Sequence, residues 1–481
     1  MSHFSPVVVM LLMPLLGAIF SLLAQGDENR RSSNAYHVAL LMSVSTFLAA
    51  VAAAVFTENE KAVIFEAPVW NVSLTVGLDP LSSVFVVLFS FLSVLSVIVT
   101  RKNITVSMRE CIFLTLILEF FLLSAVCARD LFYFLASTET ALIPLFLLLS
   151  GWGVEKKEET PYRFALYAMT GALFLMVAVF MLYRHTGGSS FEDAAKTVFS
   201  RTERRLFLGL FLAALAFKSP LFPFNGWLTD ALTEAAPATG VLISGAYTKL
   251  ILYAFLRFAV PLAGEDISAL STGLCLWAAV SAVYGALAAL VQDDMRKIAA
   301  FTHMTQAGFL AMGAFCIVPT AQQGVLFLTV AQSVSMAAFL LACGAVYQRA
   351  GYAGNIVGVL TSFPRLGTVF FIACLALIGF PPAPVFTGEI LILRSVFAQS
   401  LLSTAAAAVA IVLLYASFFR HFSRFLFGGA GENTVTGADL RWREAVVSVI
   451  IGAMFVYLML TPSGLTQTTS DAARTVLTAG R

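Results

Sequence analysis

Charge is what this sequence has least of. Across 481 residues only 12% are Asp, Glu, Lys or Arg while 59% are hydrophobic, and 29 basic against 27 acidic side chains leave a net charge of +2. So small an excess gives no footing for nucleic-acid binding, and so apolar a composition excludes a soluble globular fold of this length. The six cysteines (Cys111, Cys127, Cys275, Cys316, Cys343 and Cys374) form no CxxC or CxxxC pair and lie in apolar stretches, so they read as small core residues rather than metal or cluster ligands. The alternating ten-residue segments of a membrane β-barrel are missing. No basic segment precedes the first apolar run in MSHFSPVVVM, so that run is expected to remain as a membrane span. There is no phosphate-cradling glycine loop, no nucleophile with its base and no metal cluster; the glycines of apolar runs serve packing. Neither redox nor hydrolytic chemistry is expected of the chain itself.

What is present is a succession of apolar stretches. A bilayer is crossed by roughly 20 apolar residues, and fourteen stretches near that length run from 7–25 to 444–462. The fold class expected is therefore an all-α polytopic membrane protein with about fourteen transmembrane helices. Two stretches are interrupted: the seventh (206–229) by Pro220 and Pro223, and the twelfth (367–397) by Pro381, Pro382 and Pro384. If helices 4–8 (111–262) form one unit and helices 9–13 (263–427) another, each unit carries its break in its own fourth helix. Five is an odd number of crossings, so adjacent units lie inverted, and paired breaks mark a pathway. Two proline kinks that coincide by chance are the plain alternative. Residues 1–110 would supply three peripheral helices, and 428–481 a loop and the fourteenth helix. Lys and Arg gather in the odd-numbered connections, which places those on the cytoplasmic side and both termini on the other. The basic connection 184–205 is the exception; its SSFEDAAKTVF suits a short interfacial helix.

Few charges lie inside the apolar stretches. They are Glu119, Glu139, Lys218, Lys249 and Glu389. An ionisable group at membrane depth costs about 2.5–3.5 kcal/mol on insertion scales, so it is usually retained for a task. A lysine alone in hydrocarbon gives up its proton, whereas one beside a carboxylate keeps it. A Glu139–Lys218 pair would thus act as a switch, holding the proton when closed and releasing it when opened. A static structural pair is the plainer reading. Lys249 has no acidic neighbour in its own stretch and is the best candidate proton carrier, unless it snorkels to an interface. Glu389 either carries protons or caps the second half of the broken twelfth helix. Glu119 either takes part or simply bonds two helices together. His303, near a segment start, reads as a satisfied polar residue, and Asp293 and Asp294 read as a solvated loop.

These residues sit in motifs that resemble a known family. The run AFKSPLFPFNGWLTDALTEAAPATGVLISGAYTKLILYAFLRF is similar to the signature of the antiporter-like membrane subunits of respiratory complex I. There a lysine precedes a PLFPFHxWLPDAHxEAP block, and a second lysine follows about thirty residues on. FYFLASTETALIPLFLLLSGWG resembles the family's fifth helix, whose glutamate pairs with the first lysine; ALVQDDMRKIAAFTHMTQAGF resembles its tenth, and VGLDPLSSVFVVL the start of its third. The resemblance covers about residues 75–395 in order. VFTGEILIL, with Glu389 where most members have lysine, resembles the M-type subunit, and the chain lacks the long lateral helix of the L-type.

The resemblance implies a proton-translocating subunit of NADH:quinone oxidoreductase in a bacterial-type inner membrane rather than a mitochondrial one. It implies L-type and N-type neighbours, no cofactor on this chain, and NADH, FMN, iron–sulfur clusters and quinone in partner subunits. The implied relay is Glu139, Lys218, Lys249 and Glu389. Family histidines are replaced by Asn225 and Leu232 in the seventh-helix block, by Gln306 in the tenth helix and by Gln332 in the eleventh. Amides order water but do not hold a proton near pH 7. The relay would then run through water between the lysines and Glu389, with Glu119, Asn225, His303, Gln306 and Gln332 as accessory positions. A multi-subunit cation/proton antiporter, a membrane-bound hydrogenase and a non-pumping paralogue are the competing readings.

Overall fold

The computed structural model describes residues 6–25, 28–56, 61–67, 72–103, 107–153, 158–349, 356–428, 439–460 and 463–478. Each apolar stretch becomes a helix or a pair of half-helices, because only a helix satisfies its backbone polar groups within the segment. In chain order these are α1 (Pro6–Leu22), α2 (Glu28–Phe56), a hairpin of β1 (Lys61–Ala67) and β2 (Val72–Gly77), α3 (Pro80–Asn103) and α4 (Met108–Cys127). There follow α5 (Leu131–Thr140), α6 (Leu142–Trp152), α7 (Glu159–Thr186), the short α8 (Phe191–Ala195), and α9 (Arg201–Lys218) with α10 (Gly226–Glu234). The next segment runs through α11 (Pro237–Leu242), a π turn (Ile243–Tyr247), α12 (Thr248–Ala254), a second π turn (Phe255–Ala259) and α13 (Val260–Leu290). The remainder is α14 (Met295–Phe315), α15 (Pro319–Arg349), α16 (Val359–Ser362), α17 (Pro364–Leu377), α18 (Pro384–Phe397), α19 (Leu401–Phe427), α20 (Trp442–Met459) and α21 (Ser463–Thr478).

The two expected breaks are there. The seventh stretch is α9 and α10 separated by residues 219–225, and the twelfth is α17 and α18 separated by 378–383. Pro384 occupies the first turn of α18, where its missing N–H costs nothing. The basic 184–205 connection does contain a short helix, α8. Four features differ from the sequence reading. The antiparallel β1–β2 hairpin adds strand to a helical architecture. Helix α21 follows the fourteenth stretch. The eighth and ninth stretches run on as one helical segment, Pro237–Leu290, bent at Ala263 where φ is −127°. Asp294 caps α14 through Arg296 N, pairs with the Arg296 side chain at 2.9 Å and accepts from Tyr347 at 2.9 Å, so it is no solvated loop residue.

The interior is helical and close-packed, with most of α15 buried among its neighbours. All six cysteines are buried there as free thiols. One polar cluster is embedded in this packing. Asp79, just before α3, accepts from Arg129 at 3.1 Å and from Arg257, and its other oxygen takes the Ser82 N–H at 2.8 Å. Burial alone would raise its proton affinity, but the Arg257 and Arg129 charges and the Ser82 N–H outweigh it and hold the carboxyl well below the usual carboxylate range. Asp79→Asn leaves two buried guanidiniums uncompensated and should cost about 3–5 kcal/mol, read as a lower thermal midpoint of the solubilised protein. A depressed folded-state carboxyl stabilises above its unfolded value and loses that contribution as pH falls. The difference from wild type should therefore hold from pH 7 to roughly pH 4 and close below it.

Candidate functional site

The site begins at Glu139, near the end of α5. That helix is started by Asp130, whose carboxylate accepts from the N–H groups of Phe132 and Tyr133, both at 2.9 Å. Lys218, the last residue of α9, extends its ammonium to Glu139 Oε1 at 2.6 Å. The lysine is 4% exposed and the carboxylate 26%, so the pair has a closed and a more open side. Gly171 of α7 makes the room: a Cβ there would come within 2.7 Å of Lys218 Cγ.

Immediately beyond Lys218 the helix breaks, and the freed backbone groups need partners. Side chains of α13 provide them. Ser281 Oγ accepts from Phe222 N at 3.0 Å, and Trp277 Nε1 donates to Phe222 O at 2.9 Å. Pro220 and Pro223 thus sit in a loop pinned from one side. On its other side the loop touches a small cavity lined by Ser219, Pro220, Thr248, Lys249, His303 and Ala307 among others. Its volume of about 10 Å³ is close to what one water requires.

Lys249 lies on this cavity, 2% exposed. Snorkelling to an interface is excluded by that burial. Its helix, α12, is flanked by the two π turns, which loosen the ordinary backbone ladder on both sides of the lysine. Part of the loosening is taken up by α15, where Ser333 Oγ donates to Gly245 O at 3.1 Å.

From Lys249 the polar contacts continue across α14. His303 is fully buried in the middle of that helix, not near a segment start. Gln332 Nε2 of α15 donates to His303 Nδ1 at 2.5 Å. The ring proton then belongs on Nε2, which lies 3.5 Å from Thr248 Oγ1. Thr248 spends its own hydroxyl proton on Ser244 O at 2.8 Å, leaving a lone pair for that contact. One turn on from His303, Gln306 Nε2 donates to Leu377 O at 2.5 Å, the last carbonyl before the second break. Gln332 and Gln306 therefore tie His303 to α15 and the broken helix to α14.

Past the break lies Glu389, fully buried in the second turn of α18. It does not cap that helix, because capping acts within the first turn and neither carboxylate oxygen accepts a hydrogen bond from a described residue. Gly379, at φ +69°, lets the loop pass the carboxylate; a Cβ there would lie 2.8 Å from Glu389 Oε2. The backbone of this loop is held by Tyr415, whose hydroxyl donates to Gly379 O at 2.8 Å. Pro381 and Pro382 lie in the same loop.

Two accessory positions fall elsewhere. Glu119 is buried between α2 and α4, where Ser43 Oγ donates to it at 3.2 Å, and this matches the reading of a bond between helices. Asn225 stands at the start of α10 and makes no side-chain capping bond. Sequence reasoning missed Gly171, Trp277, Ser281 and Ser333, none of which is unusual in an apolar helix. The structure places the Glu139–Lys218 pair at the first break, Lys249 and His303 together on the cavity beside it, and Glu389 beyond the second break.

A family model described as the NADH:quinone oxidoreductase/Mrp antiporter transmembrane region matches residues 128–414, more than half of the sequence. The chain belongs to this family. Its curated relatives include NADH-ubiquinone oxidoreductase chain 4 of Marchantia polymorpha, 28% identical over 93% of this chain and 92% of that one. NADH-quinone oxidoreductase subunit M of Rickettsia bellii is 25% identical over 95% of each. Among solved structures, a chain of respiratory complex I from Thermus thermophilus with bound NADH superposes with a TM-score of 0.89 at 26% identity, covering 99% of this chain and 100% of that one. An antiporter-like helical membrane fold is thus shared over the full length.

Proposed function

We propose that this chain is the M-type proton-translocating subunit of an NADH:quinone oxidoreductase, driven by redox chemistry in partner subunits. The observation that carries the reading is the Lys218–Glu139 pair at the first break, next to a cavity that Ser219, Pro220 and Lys249 line. Protons would enter near Lys218, pass to Lys249 and leave by way of Glu389, with His303, Gln306 and Gln332 ordering the groups between. The half-exposed side of the Glu139–Lys218 pair would report the state of a neighbouring subunit by opening and closing. Residues 111–262 and 263–427 would be the two repeats, 1–110 the peripheral helices and 428–481 the closing segment. NADH, FMN, iron–sulfur clusters and quinone belong to the partner subunits, and L-type and N-type chains would be the membrane neighbours, in a bacterial-type inner membrane.

The family description also names Mrp antiporters; Glu389 argues against that second reading, while amides at family histidine positions keep it and a non-pumping paralogue open. Affinity purification from native membranes separates them. Flavin and iron–sulfur subunits should co-purify with this chain; recovery with only small membrane proteins, or with nickel-containing subunits, would overturn the assignment.

A further inference from the structure

Helix α20 packs against α3 and α15 along one side. Between it and a wall formed by α3, α15 and α17 runs a groove of about 160 Å³. The wall is recessed because α15 presents Ala338, Ala342 and Ala345 there, and half-exposed Ile372 stands at the mouth. On the α20 side a Cβ added at Gly452 would meet nothing within 4 Å. From Arg443 to Phe455 the groove follows α20 for about 18 Å, slightly more than the ~15 Å of one leaflet's hydrocarbon. A groove of that volume and length suits one extended chain rather than a helix roughly 10 Å across.

One end of the slot is basic. Glu444, the acid that lines it, is already engaged by Arg349 at 2.7 Å and by Arg441 N at 2.9 Å. Arg443 has no acidic partner among the described residues, and its buried Nε donates to no described acceptor. Its guanidinium lies 5.2 Å from the Tyr36 ring, which Arg101 approaches at 5.0 Å from its own position, and 5.0 Å from the ring of exposed Trp442. An apolar slot of leaflet length, with an arginine that no described carboxylate compensates and an exposed tryptophan at its mouth, matches the two ends of one kind of molecule.

We infer that this groove binds one acyl chain of an anionic phospholipid, with the phosphate held at Arg443. The lipid then completes the packing of α20 against α15 and α17, on the side where the basic connections gather.

The test uses the assembled complex in vesicles doped with phosphatidylglycerol or phosphatidylcholine carrying a photoactivatable diazirine on one acyl chain. Cross-linked peptides are mapped by mass spectrometry. Label is expected on α15 and α20, about five-fold stronger with phosphatidylglycerol, the preference one surface arginine confers. Gly452→Leu fills the slot and should remove the label for both lipids. Arg443→Gln should erase the preference while phosphatidylcholine labelling persists, and this arm decides alone if Gly452→Leu fails to assemble. Unchanged labelling in Gly452→Leu, an unchanged preference in Arg443→Gln, or α20 found cross-linked to a neighbouring subunit when a protein cross-linker is used would each overturn the inference.

Discussion

Replacing Lys218 by Ala, or Glu139 by Gln, should leave an assembled complex in which quinone reduction and proton transport fall together. Either change leaves one charge of the pair without its partner at the edge of the membrane interior. For a fully buried pair that typically costs 3–5 kcal/mol, about as much as would prevent assembly. Glu139 is 26% exposed, so solvent shares the cost. If about 1.4 kcal/mol of it appears in the barrier of the coupled step, turnover drops about ten-fold. The two rates should fall in parallel, because a switch that no longer closes blocks the proton and the redox step that waits on it. The double variant, lacking both charges, should lose little beyond the worse single variant, since only the first loss breaks the pair. Quinone reductase assays and acidification of sealed vesicles read both rates. Full pumping in either assembled single variant would remove the pair from the mechanism.

The second large effect is expected at Lys249. Methionine has similar length and keeps the packing between the two π turns, while removing the one amine on α12. The cavity beside it has room for about one water, and without the amine that water loses its basic neighbour on α12, while the Thr248 hydroxyl proton is already spent on Ser244 O. A positioned proton-transfer group contributes at least about 100-fold to such a step, so transport through this chain should effectively stop. The hydrogen bond from Gln332 to His303 and that from Gln306 to Leu377 do not involve Lys249. The variant should therefore fold and assemble, which distinguishes it from a change that merely disrupts the bundle.

The parts of this site that were legible in the sequence are those that contradict their surroundings. A lysine or glutamate within a long apolar run stands out, as do prolines inside a helix, so Glu139, Lys218, Lys249, Glu389 and both breaks could be named from residue type alone. Their alternatives were settled only by tertiary contacts: burial excluded snorkelling for Lys249, and position in the second turn excluded capping for Glu389. Residues that serve a neighbour leave no such mark. Ser281 and Trp277 matter because Phe222 lies opposite them, and Gly171 because Lys218 does. His303 was undervalued for the same reason, since its importance comes from Gln332 and Thr248 on two other helices. Arg257 and Arg129 gain their role only from the fold, which brings them to Asp79. The continuous α11–α13 segment was hidden because a bend at Ala263 changes direction without changing apolarity.

The central claim is that protons driven by electron transfer pass through this chain at Lys249. The direct measurement is the number of protons translocated per electron pair in sealed vesicles containing the assembled Lys249→Met complex, alongside wild type. A lower ratio at matched assembly is the result expected. An unchanged ratio would contradict the account and leave the chain as a structural member of its complex.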